Sequence, residues 1–381
     1  MSQVVLFEEL ATRHGKRIGV ATLNAEKTLN SLSLDMAKLL DERLSAWARD
    51  PDIALVVLQG AGEKAFCAGG DLQLLYRAIL EQRAKGGEAA RDPRGNGFAE
   101  EFFELEYRLD YDLHTYPKPY LCWGHGIVMG GGMGLMAGAS HRVVTEVSRL
   151  AMPEVTIGLF PDVGASWLLN RTPGKTGLFL GLTGAQLKAA DAVFVGFADH
   201  VVAQADKQKV YSALQDLEWT GEREHDDKLL TDVLRANAHE ALPAGPLREN
   251  FDLINDLCSR GSLPEIVDAI LGLQTEDPWL QRAQQTLAAG APGSARIAYD
   301  LLHRARLLSL ADVFRLEHGV ALQCAARGDF GEGIRALIVD KDRQPKWTHA
   351  SVREATRAWA DEVIFESPWS ADTHPLAAMG R

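Results

Sequence analysis

Residues 124–164 read GHGIVMGGGMGLMAGASHRVVTEVSRLAMPEVTIGLFPDVG, and the rest of the chain is best read outward from them. An apolar run ends in the contiguous glycines Gly130 to Gly132; Glu154 follows in a Met-Pro-Glu turn and Asp162 in a Phe-Pro-Asp turn. Glycines let a ligand approach backbone N–H groups closely, and two acids, each fixed behind a proline, can act on one bound group. That is the outline of an active site made of backbone donors and carboxylates.

Other readings of the stretch are weaker. Gly132-Met133-Gly134-Leu135-Met136-Ala137 matches the dinucleotide fingerprint G-x-G-x-x-A, but the acid that should end the second strand lies too far on. The expected strand is His141 to Thr145, and Glu154 stands beyond it behind Pro153. Gly164-Ala165-Ser166-Trp167-Leu168 lacks the closing glycine of a nucleophile elbow, and no HExxH occurs. Each acid alone reads as a helix cap after a proline turn; two of them downstream of the glycine cluster outweigh that reading.

Upstream, Arg17 to Leu23 and Ile53 to Leu58 are β-branched runs that read as strands. Met36, Leu39, Leu40, Leu44 and Trp47 recur at helical spacing between them, after Ser33 as N-cap. The polar turn from Asn24 to Asn30 reads as plain connection. KAFCAGGD at 64–71 steps from strand to helix, leaving N–H groups free at the helix start or, more plainly, using Asp71 as a cap. Residues 84–97 are polar and Gly-rich, a surface loop, and Phe98 to Thr115 reads as a helix carrying Glu106 beside its apolar face. One strand is expected from Pro119 to Met129.

Downstream, Trp167 to Leu169 and Leu178 to Leu182 are helical; Thr183-Gly184 is expected to start another helix ending near Ala190, before a strand over Ala198 to Val202. Beyond about residue 205 the periodicity is helical throughout, so a boundary is expected there: a core of 1–205 and a helical region of 206–381. The fold class is α/β.

The chain has 381 residues, 46% apolar, enough for one large domain and a smaller one. A net charge of -12 without any Lys/Arg block argues against nucleic acid as partner. Cys67, Cys122, Cys258 and Cys324 are widely spaced, with no CxxC pair, so neither a disulfide nor a zinc site is expected. MSQVVLFEEL carries no secretory or import signal and no apolar run approaches a bilayer's span, so the expected setting is cytoplasmic, without a membrane partner.

KAFCAGGD at 64–71, GIVMGGGMG at 126–134 and AMPEVTIGLFPDVG at 151–164 together resemble the crotonase (enoyl-CoA hydratase/isomerase) superfamily, in order and spacing, over roughly residues 10–205. The resemblance implies a spiral of β-β-α turns that binds a coenzyme A thioester, with the thioester oxygen held by the N–H groups of Gly70 and Gly131. Hydratases of the superfamily use two glutamates; the first maps onto Gly134, which cannot serve as acid or base, and the second onto Glu154. Asp162 falls where hydratases carry glycine. That swap resembles the 3-hydroxyisobutyryl-CoA hydrolases of valine degradation, whose helix glutamate maps onto Glu106 and whose long carboxy-terminal region SLADVFRLEH (309–318) and ALIVDKDRQPKW (336–347) resemble. Ala165-Ser166 departs from that branch, which tends to carry glycines there.

What the resemblance implies is hydrolysis of a short 3-hydroxyacyl-CoA. Glu154 attacks the carbonyl or activates water, Asp162 orients the water or the 3-hydroxyl, and Glu106 holds the hydroxyl or Glu154. No cofactor is expected, coenzyme A being part of the substrate. Asp162 as a second acid keeps a hydratase or isomerase as the alternative; a silent acyl-CoA-binding protein ranks below both, since Glu154, Gly70 and Gly131 are all kept. Lys27 is a candidate neighbour of the coenzyme A phosphates. A homo-oligomer and a monomer covered by its own helical tail both stay open.

Overall fold

Ile53–Gly60 is apolar on both faces, and every residue but Gln59 is buried, which is the mark of a strand inside a covered parallel sheet. In chain order the strands are β1 (Val5–Ala11), β2 (Arg17–Leu23), β3 (Ile53–Gly60), β4 (Ala65–Cys67), β5 (Tyr120–Gly124), β6 (Ile127–Met129), β7 (His141–Val144), β8 (Arg149–Ala151) and β9 (His200–Val201). They form a six-stranded sheet, β1-β2-β3-β5-β7-β9, and a three-stranded sheet, β4-β6-β8. Only β1 runs antiparallel in the larger sheet; Gly19 pairs with Val56, Leu58 with Cys122, Cys122 with Arg142 and Val143 with His200.

The order of strands gives the architecture. β3, β5 and β7 each enter the larger sheet, and β4, β6 and β8, which come after them in turn, enter the smaller one before the chain turns helical. This is a spiral of β-β-α turns, the crotonase fold, with a largely helical carboxy-terminal region. The α-helices up to Ala137 are α1 (Leu34–Arg49), α2 (Leu72–Arg83), α3 (Gly97–His114) and α4 (Gly131–Ala137). Ser33 caps α1 through Met36 N–H, and Asp71 caps α2 through Gln73 and Leu74 N–H.

The computed structural model describes residues 3–240 and 242–381. The amino-terminal stretch read for targeting begins with Met1 and Ser2, outside the described residues. The described residues gather into two compact units that interleave along the sequence: those within Met1–Gly70, Leu109–Leu150 and Gln186–Glu249 in one, those within Asp71–Arg108, Ala151–Ala185 and Asn250–Arg381 in the other. Each unit therefore draws on both sides of residue 205.

In the first unit, Ile18, Val20, Leu55, Val57, Leu121, Trp123 and Val143 of the sheet pack with Val210, Leu214, Leu230 and Leu234 from the helices Lys207–Asp216 and Arg223–Ala236. In the second, the helix Leu310–Arg327 is buried on nearly every side, with only Asp312 and Arg327 exposed and the polar Glu317, His318 and Gln323 among its buried residues.

Two local expectations fail. The strand expected over Pro119 to Met129 is two strands in two sheets, because the chain turns at His125-Gly126. Gly126 has φ +59, and a Cβ there would lie 2.3 Å from Lys64 O. Gly184 ends a helix instead of starting one: it stands at φ +59 after Thr176–Thr183 and donates its N–H to Leu180 O, and the next helix is Ala189–Phe194. Among the described residues no helix is long and apolar enough to cross a membrane.

Candidate active site

The glycine donors belong to the first unit. β4 and β6 run parallel, Ala65 pairing with Ile127, so the chain past Cys67 lies beside the chain past Met129. A Cβ on Gly69, which has φ +106, would lie 3.5 Å from Met129 O and 3.9 Å from Gly131 N; one on Gly132 would lie 2.4 Å from Cys67 O. The structure thus brings the segments of Gly70 and Gly131 together, and side chains are excluded at Gly132. Gly131 opens α4, where the N–H groups have no acceptor within the helix. Gly134 lies buried inside α4 and brings no carboxylate. Lys27 is exposed in the turn Glu26–Thr28.

The carboxylates belong to the second unit. Glu106 comes from α3; Glu154 opens the 3₁₀ turn Glu154–Ile157 after Pro153; Asp162 follows Pro161. All three are nearly inaccessible, at 3%, 4% and 4% exposure, a figure that excludes a solvated helix face as the explanation for Glu106. Burial raises the pKa of Glu106 well above the carboxylate range, and the charge of Asp162 raises it further. Glu154 is raised well above its ordinary value by burial and then by the charge of Asp162. Asp162 is pushed up by burial to about 6, against the pull of a hydrogen bond from Tyr107. One region cannot hold three bare charges without water, so the charge at neutral pH rests first on Asp162, the member with a donor.

Two further residues, neither expected, complete the group. The Tyr107 hydroxyl, wholly buried, donates to Asp162 Oδ2 at 2.7 Å. Glu317, in the helix Leu310–Arg327 and also wholly buried, accepts the N–H of Gly164 on Oε2 at 2.7 Å and that of Ser166 on Oε1 at 2.9 Å. Between Asp162 and these donors Val163 stands at φ +53, a left-handed conformation that costs a β-branched residue about 1–3 kcal/mol. By contrast, Glu154 Oε2 is buried and has no hydrogen-bond partner in the protein. A buried acceptor left open among satisfied ones is the atom available to a ligand or a water.

With this geometry stand the comparisons with known proteins. Residues 18–364 match the family model described as enoyl-CoA hydratase/isomerase, and the chain belongs to that family. The zebrafish protein "3-hydroxyisobutyryl-CoA hydrolase, mitochondrial" is 37% identical over 361 residues, 94% of this chain and 89% of its own length. The human protein of the same description is 35% identical over 340 residues, 89% of this chain and 83% of its own. Among solved structures, one described as a carnitinyl-CoA dehydratase from Mycobacterium thermoresistibile is 35% identical, with a TM-score of 0.81 over 95% of this chain and 96% of that one. Another, described as an enoyl-CoA hydratase from Rhodobacter sphaeroides, is 33% identical, with a TM-score of 0.80 over 95% and 97%.

The relatives correct one expectation. The zebrafish and human proteins are described as mitochondrial, and the cytoplasmic setting expected from the sequence does not stand. The four cysteines are buried and form no disulfide, which suits any reducing compartment and never favoured the cytoplasm over another.

Proposed function

We propose that the chain hydrolyses a short 3-hydroxyacyl-CoA thioester, as the names of its hydrolase relatives say of them. The observation that carries the reading is the open, buried Oε2 of Glu154 beside an Asp162 already held by Tyr107. In the proposed reaction the Gly70 and Gly131 N–H groups bind the carbonyl oxygen as it gains charge, a contribution of roughly 3–4 kcal/mol per donor. The base form of Glu154 either adds to the carbonyl carbon, giving a mixed anhydride that water then opens, or takes a proton from the water that adds directly. On either route the carbon–sulfur bond breaks and the thiol of coenzyme A leaves with one proton. Asp162 orients the water or the 3-hydroxyl, and Glu106 holds the hydroxyl or Glu154.

The second reading, hydration of an enoyl-CoA, is favoured by the descriptions of the two solved structures. It asks for two acid/base groups on one water, and with Gly134 in place of the first glutamate Asp162 must supply the second.

The test is thiol release from a panel of saturated 3-hydroxyacyl-CoA thioesters, run beside hydration of crotonyl-CoA, with Glu154→Gln and Asp162→Asn. Thiol release that falls 100-fold or more in both variants supports the hydrolase, and its best substrate names the acyl group. Hydration without thiol release overturns it, and binding without either reaction leaves an acyl-CoA-binding protein.

A further inference from the structure

We propose that Glu317 is a positioning residue for Asp162: from the helix Leu310–Arg327 it grips the Gly164 and Ser166 N–H groups and thereby sets the turn that presents the Asp162 carboxylate. The inference rests on reading Asp162 as part of the acyl-CoA site.

Both carboxylate oxygens of Glu317 are used, and both on backbone within the run Gly164–Ser166. Asp162 lies two residues before the first of these donors. The turn between them is not one that its own residues favour. Val163 at φ +53 is followed by Gly164 at φ +82, and Ala165 N–H closes back on Asp162 O at 2.9 Å. A Cβ at Gly164 would lie 3.0 Å from the Phe314 ring, so the same helix that carries Glu317 also packs under the turn. Gly164 freed of its acceptor would let Val163 relax toward negative φ, which swings the preceding peptide and the Asp162 side chain with it. From the other side, the Tyr107 hydroxyl fixes Asp162 Oδ2. Glu317 acts on the backbone and Tyr107 on the carboxylate, so the orientation of Asp162 is set twice.

A plain structural role has a different consequence. If Glu317 only satisfied buried N–H groups at the start of the short helix Ala165–Leu168, its loss would lower stability and reduce activity in proportion to the fraction unfolded. Positioning instead predicts a loss in turnover that disappears once Asp162 has nothing left to position.

The experiment is a double-mutant cycle on the full chain with wild type, Glu317→Gln, Asp162→Asn and the double variant, each checked for folding by calorimetry at the assay temperature. Glutamine keeps one acceptor oxygen and sets an amide N–H₂ against the second donor, so one of the two backbone bonds is lost. In the wild-type background kcat is expected to fall on the order of 100-fold, with KM changed less than about threefold. In the Asp162→Asn background the same change is expected to cost less than about threefold. Equal losses in both backgrounds overturn the proposal, as does a loss no larger than the unfolded fraction explains. Should Glu317→Gln not fold, Glu317→Asp takes its place, since it keeps the charge and shortens the reach by one methylene. The outcome is separable from that of the hydrolase reading. If wild type releases no thiol, that reading fails, and the cycle is run on calorimetric affinity for a thioether analogue of 3-hydroxybutyryl-CoA. A Glu317→Gln loss in affinity that vanishes with Asp162→Asn still supports positioning, and equal losses still overturn it.

Discussion

Replacing Asp162 by asparagine is expected to make the protein more stable while it removes activity, and to do so only above mild acid. The cause is the carboxyl's ionisation. Its pKa stands near 6 in the fold against 3.8 for an unperturbed aspartate, a difference of about 2 units, or about 3 kcal/mol. Between the two values the folded state holds a proton that the unfolded state has lost, so stability falls as pH rises through that window and stays lowered above the folded value. Of the total, about 2 kcal/mol falls between pH 4.5 and pH 8. Asparagine never ionises, keeps an oxygen to accept from Tyr107, and relieves Glu106 and Glu154 of the charge that raises them.

The assay is scanning calorimetry of wild type and Asp162→Asn at both pH values, with thiol release measured beside it. At roughly 2–4 °C per kcal/mol for units of this size, the midpoint of the variant relative to wild type should rise by about 4–8 °C on going from pH 4.5 to pH 8. Activity should fall about 100-fold or more. A gap that is the same at both pH values, or that narrows at pH 8, would refute the claim that Asp162 is held ionised at a cost to the fold.

Tyr107→Phe removes the donor that pulls Asp162 down, so the Asp162 value moves above about 6, and a pH–rate profile should show its acid limb displaced upward, with more activity lost at pH 6 than at pH 8. Glu154 is raised by burial and by neighbouring charge, so its base form is gained as pH rises above the ordinary carboxylate range; kcat for thiol release should climb with pH on a limb displaced upward from that range, and this limb should vanish in Glu154→Gln. Gly132→Ala sets a Cβ 2.4 Å from Cys67 O and should cost about 1–3 kcal/mol in denaturant unfolding, because the contact is with backbone and cannot give. Gly333→Ala sets a Cβ 2.2 Å from Ile157 O, in the turn that opens with Glu154, and should lower both midpoint and turnover; Gly319→Ala, whose Cβ meets nothing within 4 Å, is the matched control and should leave both near wild type or slightly raise the midpoint.

How far the site was legible depended on whether its signal was local. Gly130 to Gly132 and the two proline-acid turns announce themselves because a backbone constraint must be written at the position that bears it. Gly184 is equally visible but ambiguous, since a glycine after Thr183 both stops one helix and can precede another; its φ of +59 makes it the end of Thr176–Thr183. The broken strand at His125-Gly126 was hidden for a different reason. Apolar character runs straight through the turn, because β5 and β6 are both buried although they belong to different sheets.

Tyr107 and Glu317 show where such reading stops. Tyr107 sits among apolar helix residues and nothing in its neighbourhood names Asp162, 55 positions away, as its acceptor. Glu317 did leave a trace: it occupies the apolar stripe of its helix, four residues after Val313 and three before Val320, where an acid has no business unless something satisfies it. What satisfies it lies more than 150 positions upstream. A buried acid on an apolar stripe therefore tells that a donor exists without telling where. The same logic sorts three of the four acids once the contacts are known. Glu317 spends both oxygens on backbone and Asp162 accepts from Tyr107, whereas Glu154 keeps an oxygen that the protein leaves open. Burial is the first cause that raises each of them; it is the unequal supply of donors that sets Glu317 and Asp162, whose oxygens the protein already engages, apart from Glu154, whose Oε2 it leaves open.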